Sequence, residues 1–457
     1  IPKTFVCLSP KMKFLTLALA LASAANAHTL LSELYINGKS QGDATCLRMP
    51  KEGDTSTSPV AGLTSDDMAC GKDGEIAAAY TCAAPGSSKL TFEFREWPDA
   101  RAEGSIDSSH KGPCAVYVKK VDDMAKTSAA GPGWFKIWDE GYDESTKQWC
   151  VDKLIANKGL LTVELPSGLP AGYYLIRTEI LALHQAVSLK DPQYYVGCAQ
   201  VYVQDGPSGS LEIPAKNSVS IPGYIDGSEP GNNFNLYDNP KFPYPIPGPE
   251  VYSPVGSSTG ASAKSVSTFE GGVPDDCLIK NANWCGKPLE KYSSETGCWA
   301  AVDACYAQGD KCFNSAPPTG AKNCYVWNDN MCKAVESQCR AKNFNGPPTP
   351  NLEEKDTPLP GPIPGAPSTS APAPAATSSA AAVPAPAPSS PAQGGLKVST
   401  DGTCGGETGL TCEGSSFGPC CNSGRCTNKK SQCKVKCGCE QEFGLCLKGR
   451  NTLSRKH

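Results

Sequence analysis

The chain has 457 residues, 24 cysteines and a formal net charge of −4. This length exceeds that of one typical domain, and so many cysteines indicate an oxidising compartment rather than the cytosol. The nearly balanced charge provides no strongly basic surface, so nucleic acid is not an expected partner. Histidine is scarce, since the chain contains only four: His28, His110, His184 and His457.

The N-terminal segment has the pattern of a secretory signal peptide. A short apolar run follows two lysines and ends in Ala25-Asn26-Ala27, a small-residue cleavage pattern. The run is too short to cross a bilayer, and no other segment is apolar enough, so no membrane partner is expected. We predict that residues 1–27 are removed, that Met12 is the natural start with residues 1–11 an upstream remnant, and that a secreted, extracellular chain begins with His28.

Residues 28–255 contain short runs rich in Val, Leu, Ile, Tyr and Phe, separated by stretches of Gly, Pro, Asp and Ser. Several of these runs alternate apolar and polar residues, which predicts an antiparallel, immunoglobulin-like β-sandwich with long loops. A domain of this length can bury a sizeable core. The clearest runs are KLTFEF (89–94), CAVYVKKV (114–121), LLTVEL (160–165), GYYLIRTEILAL (172–183) and CAQVYVQ (198–204).

A second, smaller region is cysteine-rich and predicted to be helical. Residues 256–275 are rich in Ser and Gly and are predicted to be a linker, and residues 276–346 carry eight cysteines. Cys298, Cys305 and Cys312 are seven residues apart, a spacing that returns to one helix face. We therefore predict a small helical module joined by disulfides, whose pairing the spacing leaves open. Its tryptophans are predicted to be mainly core, with a binding surface as the alternative.

The C-terminal part consists of a tether and a second cysteine-rich module. Residues 347–398 are rich in Pro, Ala, Ser and Thr and predict an extended, O-glycosylated tether. Residues 399–447 hold nine cysteines, and an odd count leaves one thiol that pairs outside the module or stays free. Residues 448–457 form a tail.

Cleavage before His28 would create a metal-chelating N-terminus. The free α-amine would lie next to the imidazole Nδ1 of the same residue, and one more imidazole would complete a T-shaped set of three nitrogens that suits copper. The α-amine has a pKa of about 8, so a metal displaces its proton easily at mild pH. The further imidazole would come from His110, in a predicted loop, or His184, at a strand end. The alternative for each is an ordinary exposed histidine.

Residues 28–255 resemble the fungal lytic polysaccharide monooxygenases of auxiliary activity family nine, formerly classed as glycoside hydrolases. The resemblance rests on segments in the family's order that are spread over the whole domain. They read HTLLSELYING, TSDDMAC, GSIDSSHKGPCAVYVKK, GWFKIWDEGYD, LPAGYYLIRTEILALH, DPQYYVGCAQVYV and FPYPIPGPEVY. The resemblance implies a β-sandwich that binds one copper ion and oxidises polysaccharide.

The resemblance also implies roles for individual residues. His28 would bind copper through its α-amine and Nδ1, and His110 would bind it through Nε2. Tyr195 matches the family's axial tyrosine in the pattern Q-x-Y-x-x-C. His184 and Gln193 match the pair that hydrogen-bonds oxygen beside the copper.

Further positions follow from the same resemblance. Cys70 would pair with Cys198 and tie the loop before it to the sandwich. Tyr244, in FPYPIPGP, resembles a surface tyrosine that stacks on glucose, with a packed loop tyrosine as the alternative. Tyr194 does not match the family pattern and is expected to be packing or surface. For the cysteines left in the sandwich we predict the pairs Cys46–Cys82 and Cys114–Cys150.

The function implied is that of a secreted, copper-dependent enzyme that cleaves β-1,4-glucan chains of crystalline cellulose oxidatively. It would use O2 or H2O2 and electrons from a small reductant or a redox partner such as cellobiose dehydrogenase, and we expect a monomer. The alternatives are chitin or hemicellulose as the substrate, or a non-catalytic copper-binding wall protein, which would predict loss of His184 or Gln193. A hydrolase would need a carboxylate pair across a cleft, and nothing in the sequence marks one.

Residues 403–446 resemble a hevein-type chitin-binding module of carbohydrate-binding module family eighteen. The resemblance rests on TCGGETGLTC, FGPCCNSGRC and CEQEFGLC. Residues 422–425 (NSGR) and Gln432 stand where such modules carry sugar-stacking aromatic residues. Because stacking supplies much of sugar affinity, we expect the scaffold to be present and its sugar platform to be lost.

Overall fold

The computed structural model describes residues 28–255 and 269–365, together with short pieces between residues 397 and 454. The chain divides into two compact units, Ile1–Thr369 and Ser370–His457. The predicted signal peptide, most of the predicted 256–275 linker and most of the predicted tether lie outside the described residues. No helix among the described residues is long and apolar enough to cross a membrane.

The first unit contains a β-sandwich, which confirms the predicted fold class. Two short helices accompany its strands, α1 (Asp67–Cys70) and α2 (Cys150–Ala156). The strands are β1 (Leu30–Ile36), β2 (Lys39–Ser40), β3 (Leu47–Arg48), β4 (Cys82–Ala84), β5 (Lys89–Arg95), β6 (Cys114–Val121), β7 (Gly131–Glu140), β8 (Tyr142–Asp143), β9 (Gln148–Trp149), β10 (Leu160–Glu164), β11 (Gly172–Ala182), β12 (Gln193–Val203) and β13 (Val219–Ile221).

Two sheets face each other across the sandwich core. The first sheet has the strand order β10-β5-β1-β2, and the second has the order β13-β7-β6-β11-β12-β3, with β4 parallel to β12. Strands β11 and β12 pair antiparallel along their whole length, from Gly172 opposite Val203 to Ala182 opposite Gln193. This register places Gln193 beside the residues that follow β11.

Alternation along the strands of the first sheet separates its two faces. In β5, Leu90, Phe92 and Phe94 point into the core between the sheets, where they are fully buried. Glu93 and Arg95 point to the opposite face, because successive residues of a strand alternate sides. That outer face is also buried, so a further layer of the chain must cover it.

The cysteine-rich residues form helices, as predicted, preceded by a hairpin that was not predicted. Cys298, Cys305 and Cys312 lie buried on one face of α3 and connect it to the three helical segments that follow. The disulfides are Cys277–Cys285, Cys298–Cys339, Cys305–Cys332 and Cys312–Cys324. The elements are β14 (Ile279–Asn281), β15 (Trp284–Gly286), α3 (Glu295–Asn314), α4 (Lys322–Val326), one turn of π-helix (Trp327–Cys332) and α5 (Lys333–Arg340).

The cysteine-rich residues and the segment after them cover the outer face of the first sheet. Lys322 at the start of α4 forms an ion pair with Asp43 (3.2 Å), and the Thr357 hydroxyl donates a hydrogen bond to the same carboxylate (2.6 Å). Further along, Lys89 Nζ donates to the Gly365 carbonyl (2.8 Å). Residues 347–365 were predicted to belong to an extended tether, but they lie against the sandwich because these polar contacts hold them there.

The described pieces of the second unit are short strands joined by disulfides. The pairs Cys404–Cys421 and Cys412–Cys426 enclose a small core in which cysteine side chains are the buried groups. Gln432, Ser423 and Gly424 lie outside the described residues. The strands are β16 (Lys397–Val398), β17 (Leu410–Thr411), β18 (Cys420–Asn422), β19 (Arg425–Thr427), β20 (Cys446–Lys448) and β21 (Thr452–Ser454).

Candidate metal centre

His28 lies at one end of the first sheet, directly before β1. The next residue, Thr29, donates a hydrogen bond from its hydroxyl to the Ser105 carbonyl (2.6 Å), and both groups are buried. This bond ties the start of the sandwich to the loop that leads into His110. The two histidines are therefore held together by a contact between segments far apart in the sequence.

The His110 loop is fastened to the end of β11. The Leu183 N–H donates to the Lys111 carbonyl (2.9 Å), and the Leu181 N–H donates to the Pro113 carbonyl (3.0 Å). A Cβ atom at Gly112 would lie 1.8 Å from the Leu181 oxygen, so only glycine permits this close approach. The loop therefore brings His110 beside the residues that follow β11.

Four rings from distant parts of the chain surround one point. The rings of His28 and His110 are nearly perpendicular (88°), with centroids 6.1 Å apart. The Tyr195 ring lies 6.0 Å from His28 and 5.8 Å from His110, and the His184 ring lies 4.1 Å from His110. All the histidines proposed from sequence as ligand or neighbour are thus brought together, as is the proposed axial tyrosine.

Two buried ring nitrogens at this point have no partner. Among the residues that the structure describes, His110 Nε2 and His184 Nδ1 make no hydrogen bond although both atoms are buried. Leaving a buried polar atom unpaired costs free energy, so a buried nitrogen without a hydrogen bond indicates that another group, such as a metal ion, binds it. His110 Nε2 is the atom through which the sequence resemblance has His110 bind copper, so the residues present fit that metal.

The protonation state of the histidines also suits metal binding. Burial, together with the nearby His184 and His28, lowers the pKa of His110 to about 4. Burial likewise lowers the pKa of His28 and of His184. The rings are therefore neutral in neutral solution, and the neutral imidazole is the form that binds a metal.

A hydrogen-bond network orients Gln193 and Tyr195. The Gln193 Nε2 donates to Asp191 Oδ2 (3.1 Å) and to Gln185 Oε1 (3.0 Å). An ionised carboxylate only accepts, so the Asp191 contact decides which end of the Gln193 amide carries nitrogen. The Gln193 oxygen then accepts from the Tyr195 hydroxyl (2.9 Å). The phenolic proton is thus held by Gln193, which leaves the oxygen lone pairs of Tyr195 free to face other groups.

Sequence reasoning missed Asp191 and Gln185. Both lie in the connection between β11 and β12, within eight residues of Gln193. Their polar character and closeness to Gln193 were the available signals, but a loop sequence does not show which side chains turn inward. Their contribution depends on the folded shape of that connection.

The disulfides of the sandwich are the predicted ones. Cys70 is joined to Cys198, which ties α1 to the middle of β12 close to Tyr195. The other two pairs are Cys46–Cys82 and Cys114–Cys150. Cys114 begins β6, four residues after His110, so its bond to α2 also steadies the end of the His110 loop.

Tyr244 does not lie where a sugar-stacking residue must lie. Its ring is buried (8% exposed) and packs edge-to-face against Trp149 and Phe234, with centroids 4.9 and 5.0 Å away. Its hydroxyl donates to the Gly231 carbonyl (3.0 Å). Stacking on glucose needs an open ring face, so the suggested substrate contact is wrong and the packed-tyrosine alternative holds. Tyr194 is likewise buried, with its hydroxyl bonded to Asn232.

The sequence profile of Auxiliary Activity family 9 (formerly GH61) matches residues 28–244. The chain is 42% identical over 435 residues to AA9 family lytic polysaccharide monooxygenase H of Botryotinia fuckeliana, covering 92% of this chain and 96% of that protein. The chain belongs to auxiliary activity family 9. It is also 48% identical over 341 residues to AA9 family lytic polysaccharide monooxygenase C of Aspergillus tamarii, covering 73% of this chain and 90% of the relative.

Among solved structures, CvAA9A is 36% identical to the chain, with a TM-score of 0.44, and covers 50% of this chain and 100% of its own. Membership of family 9 makes the protein a lytic polysaccharide monooxygenase, an oxidoreductase of polysaccharide degradation. The Botryotinia relative matches nearly the whole chain, so its likeness extends beyond the sandwich to the cysteine-rich regions.

Proposed function

We propose that this family 9 protein is a secreted, copper-dependent monooxygenase that cleaves the β-1,4-glucan chains of cellulose oxidatively. It would use O2 or H2O2, with electrons from a small reductant or a redox partner such as cellobiose dehydrogenase, and act as a monomer. The observation that carries the proposal is the buried, unpartnered His110 Nε2 beside the perpendicular ring of His28.

Three nitrogens of the chain would hold the copper ion. Cleavage after Ala27 would free the α-amine of His28, which would bind together with Nδ1 of the same residue and with His110 Nε2. When bound, copper supplies the one-electron chemistry that activates O2 or H2O2 for oxidation of a glycosidic C–H bond. Tyr195, whose ring lies 6.0 Å from that of His28 and 5.8 Å from that of His110, would lie beside the copper ligands and limit the approach of other groups.

The side chains around the copper ligands would have two roles: one would donate a proton, and the others would hold Tyr195 in place. The His184 ring lies 4.1 Å from the His110 ring, tilted by 37°, and has an uncommitted Nδ1, so it can move a proton without disturbing another bond. Gln193 holds the Tyr195 hydroxyl and is itself held by Asp191. Groups outside a ligand set that fix its geometry in this way are important for activity.

The proposed signal peptide is part of this chemistry, since only its removal creates the α-amine ligand. The domain arrangement that we propose has the sandwich at 28–255, the cysteine-rich module at 276–346 and the chitin-binding-like module at 399–447. Substrates other than cellulose remain as alternatives, with chitin suggested by the C-terminal module and hemicellulose by the substrate class of the family. A non-catalytic copper-binding wall protein is the alternative from another functional class.

The proposal is tested with the mature protein, loaded with copper and supplied with ascorbate and H2O2 on phosphoric-acid-swollen cellulose. We expect oxidised oligosaccharides in the mass spectrum. A matched protein with two extra residues before His28 should release none, because its α-amine is no longer part of the His28 chelate. Chitin and xylan are tested in parallel. Copper binding without oxidised products on any of these substrates would refute the catalytic proposal.

Tyr195→Phe is expected to lower the rate of oxidation about tenfold and to change the electron paramagnetic resonance spectrum of bound copper. The change removes the phenolic oxygen beside the proposed copper ligands together with its hydrogen bond to Gln193 (2.9 Å), and such neighbours of a metal contribute at about this scale. Tyr194→Phe is the matched control on the same strand, because its hydroxyl contacts Asn232 instead. Equal spectra and rates for the two variants would contradict the assignment of Tyr195.

A further inference from the structure

Three aromatic side chains recur at intervals of seven residues along α3. They are Trp299, Tyr306 and Phe313, which we call the aromatic stripe. Residues seven apart lie on nearly the same side of an α-helix, and the helix rises about 10.5 Å between them. Each ring of the stripe is only partly buried, whereas Trp284 and Trp327 of the same module are core residues. The prediction that the module's tryptophans are mainly core therefore applies to two of the three.

Aspartates alternate with the rings of the aromatic stripe. Asp303 and Asp310 follow Trp299 and Tyr306 by four residues each, which places them on the same face of α3. Both are exposed, and within the described part of the chain neither forms an ion pair or a side-chain hydrogen bond. Their carboxylate oxygens are therefore available to accept hydrogen bonds from a ligand.

Each ring of the aromatic stripe is held by one side chain from a later part of the module. These contacts orient the rings before any ligand arrives. They are the Arg340 guanidinium with Trp299 (5.8 Å to the ring centroid), Glu336 with the Tyr306 hydroxyl (3.1 Å) and Tyr325 with Phe313 (ring centroids 4.8 Å apart). A surface ordered in advance loses little conformational entropy on binding.

The disulfides make this surface rigid along its whole length. Each aromatic residue of the stripe directly follows a cysteine, and the three cysteines are bonded to Cys339, Cys332 and Cys324. Tyr325 is 61% exposed at the Phe313 end and extends the aromatic surface there.

We propose that the aromatic stripe, with Asp303 and Asp310, binds an extended β-1,4-linked glucan chain. The rise of about 10.5 Å between rings matches the two-glucose repeat of such a chain, so every ring can stack on an equivalent sugar face. The carboxylates between the rings accept hydrogen bonds from the sugar hydroxyls. The glucan class rests on the proposed function, and the site would hold the substrate independently of the copper centre.

The test measures partition of the full-length mature protein onto microcrystalline cellulose, with copper bound and no reductant present. We expect the triple variant Trp299→Leu, Tyr306→Leu, Phe313→Leu to bind at least about tenfold more weakly, which corresponds to about 1.4 kcal/mol for the three rings. Leucine keeps the apolar contact with the module core and removes the flat faces. A triple variant that has the wild-type circular dichroism and unfolding temperature but unchanged partition would overturn the proposal.

A second variant tests the proposed binding surface if the triple variant does not fold. Asp303→Ala with Asp310→Ala changes only exposed side chains, and we expect binding about fivefold weaker because two acceptors are lost. Glu290→Ala is the matched control, an exposed acidic residue of the same module outside α3. Equal partition of the double variant and the control would overturn the proposal. Oxidised products are assayed separately, so a failed copper site leaves this result interpretable.

Discussion

His110→Ala is expected to remove copper binding and oxidation together. His110 would supply one of three nitrogens, and its Nε2 is buried with no other partner in the described structure, so the variant would leave only the two nitrogens of His28 in the proposed ligand set. We expect copper affinity to fall by at least about 100-fold, beyond the effect of losing a neighbour of the ligands. Calorimetric titration with copper measures the affinity, and mass spectrometry of swollen cellulose measures oxidation.

His184→Ala is compared with His110→Ala to distinguish a copper ligand from a proton donor. Its ring lies 4.1 Å from His110, but the proposed role is proton donation rather than ligation, so copper affinity should be kept while oxidation falls. The two variants together separate ligand from donor. If His184→Ala lost copper as completely as His110→Ala, or if His110→Ala retained tight binding, the assignment of roles would be wrong.

Arg95→Met is expected to destabilise the protein by about 3–5 kcal/mol at pH 8, the range seen when a buried ion pair loses one partner. Arg95 is almost fully buried on the outer face of the first sheet and contacts three carboxylates. They are Glu93 and Asp43, each at 2.6 Å, and Glu33 at 2.7 Å. Lys322 also reaches the group, through Asp43, but contacts only that one of the three carboxylates among the ion pairs of the described residues, so methionine leaves the carboxylates poorly compensated. Unfolding in denaturant measures this loss of stability.

The same cluster predicts how this cost depends on pH. Burial raises the pKa of Glu33 to about 7 from its usual 4.5, with Asp43 and Glu93 adding to the shift and Ser40 and Arg95 opposing it. A carboxyl whose pKa is higher in the folded protein favours folding when protonated, so stability falls as pH rises from about 4.5 to about 7. The Arg95→Met substitution should therefore lower the free energy of unfolding less at pH 5, where Glu33 holds its proton, than at pH 8.

Two variants control this prediction. Arg101→Met removes an exposed arginine whose ion pair with Asp99 should contribute at most about 1 kcal/mol at any pH. Glu33→Gln keeps the shape of the protonated acid and should flatten the loss of stability between pH 5 and pH 8. A pH-independent cost for Arg95→Met, or one no larger than that of Arg101→Met, would contradict this account of the cluster.

Much of the site could be read from local sequence because its signals are local. A small-residue cleavage pattern before His28 and the spacing in QYYVGC each lie within a few residues. The choice of His110 as a ligand and of Tyr195 as its neighbour rested in addition on the family resemblance. Four of the predicted runs match strands to within one residue at each end, since alternation of side chains along a strand is itself a local pattern. The fifth, 198–204, missed the first five residues of β12, which begins at Gln193. Residues 114–121, for example, form β6 with the predicted bounds.

The sequence by itself determined the fold class, the residues proposed to hold copper and the helix face that carries the cysteines of α3. The tertiary structure decided the rest, because the remaining features depend on contacts between distant segments. Tyr244 looked like a surface tyrosine but meets Trp149 and Phe234 in a core that only folding assembles. Residues 347–365 looked like a tether but lie on the sheet because Asp43 and Lys89 bind them.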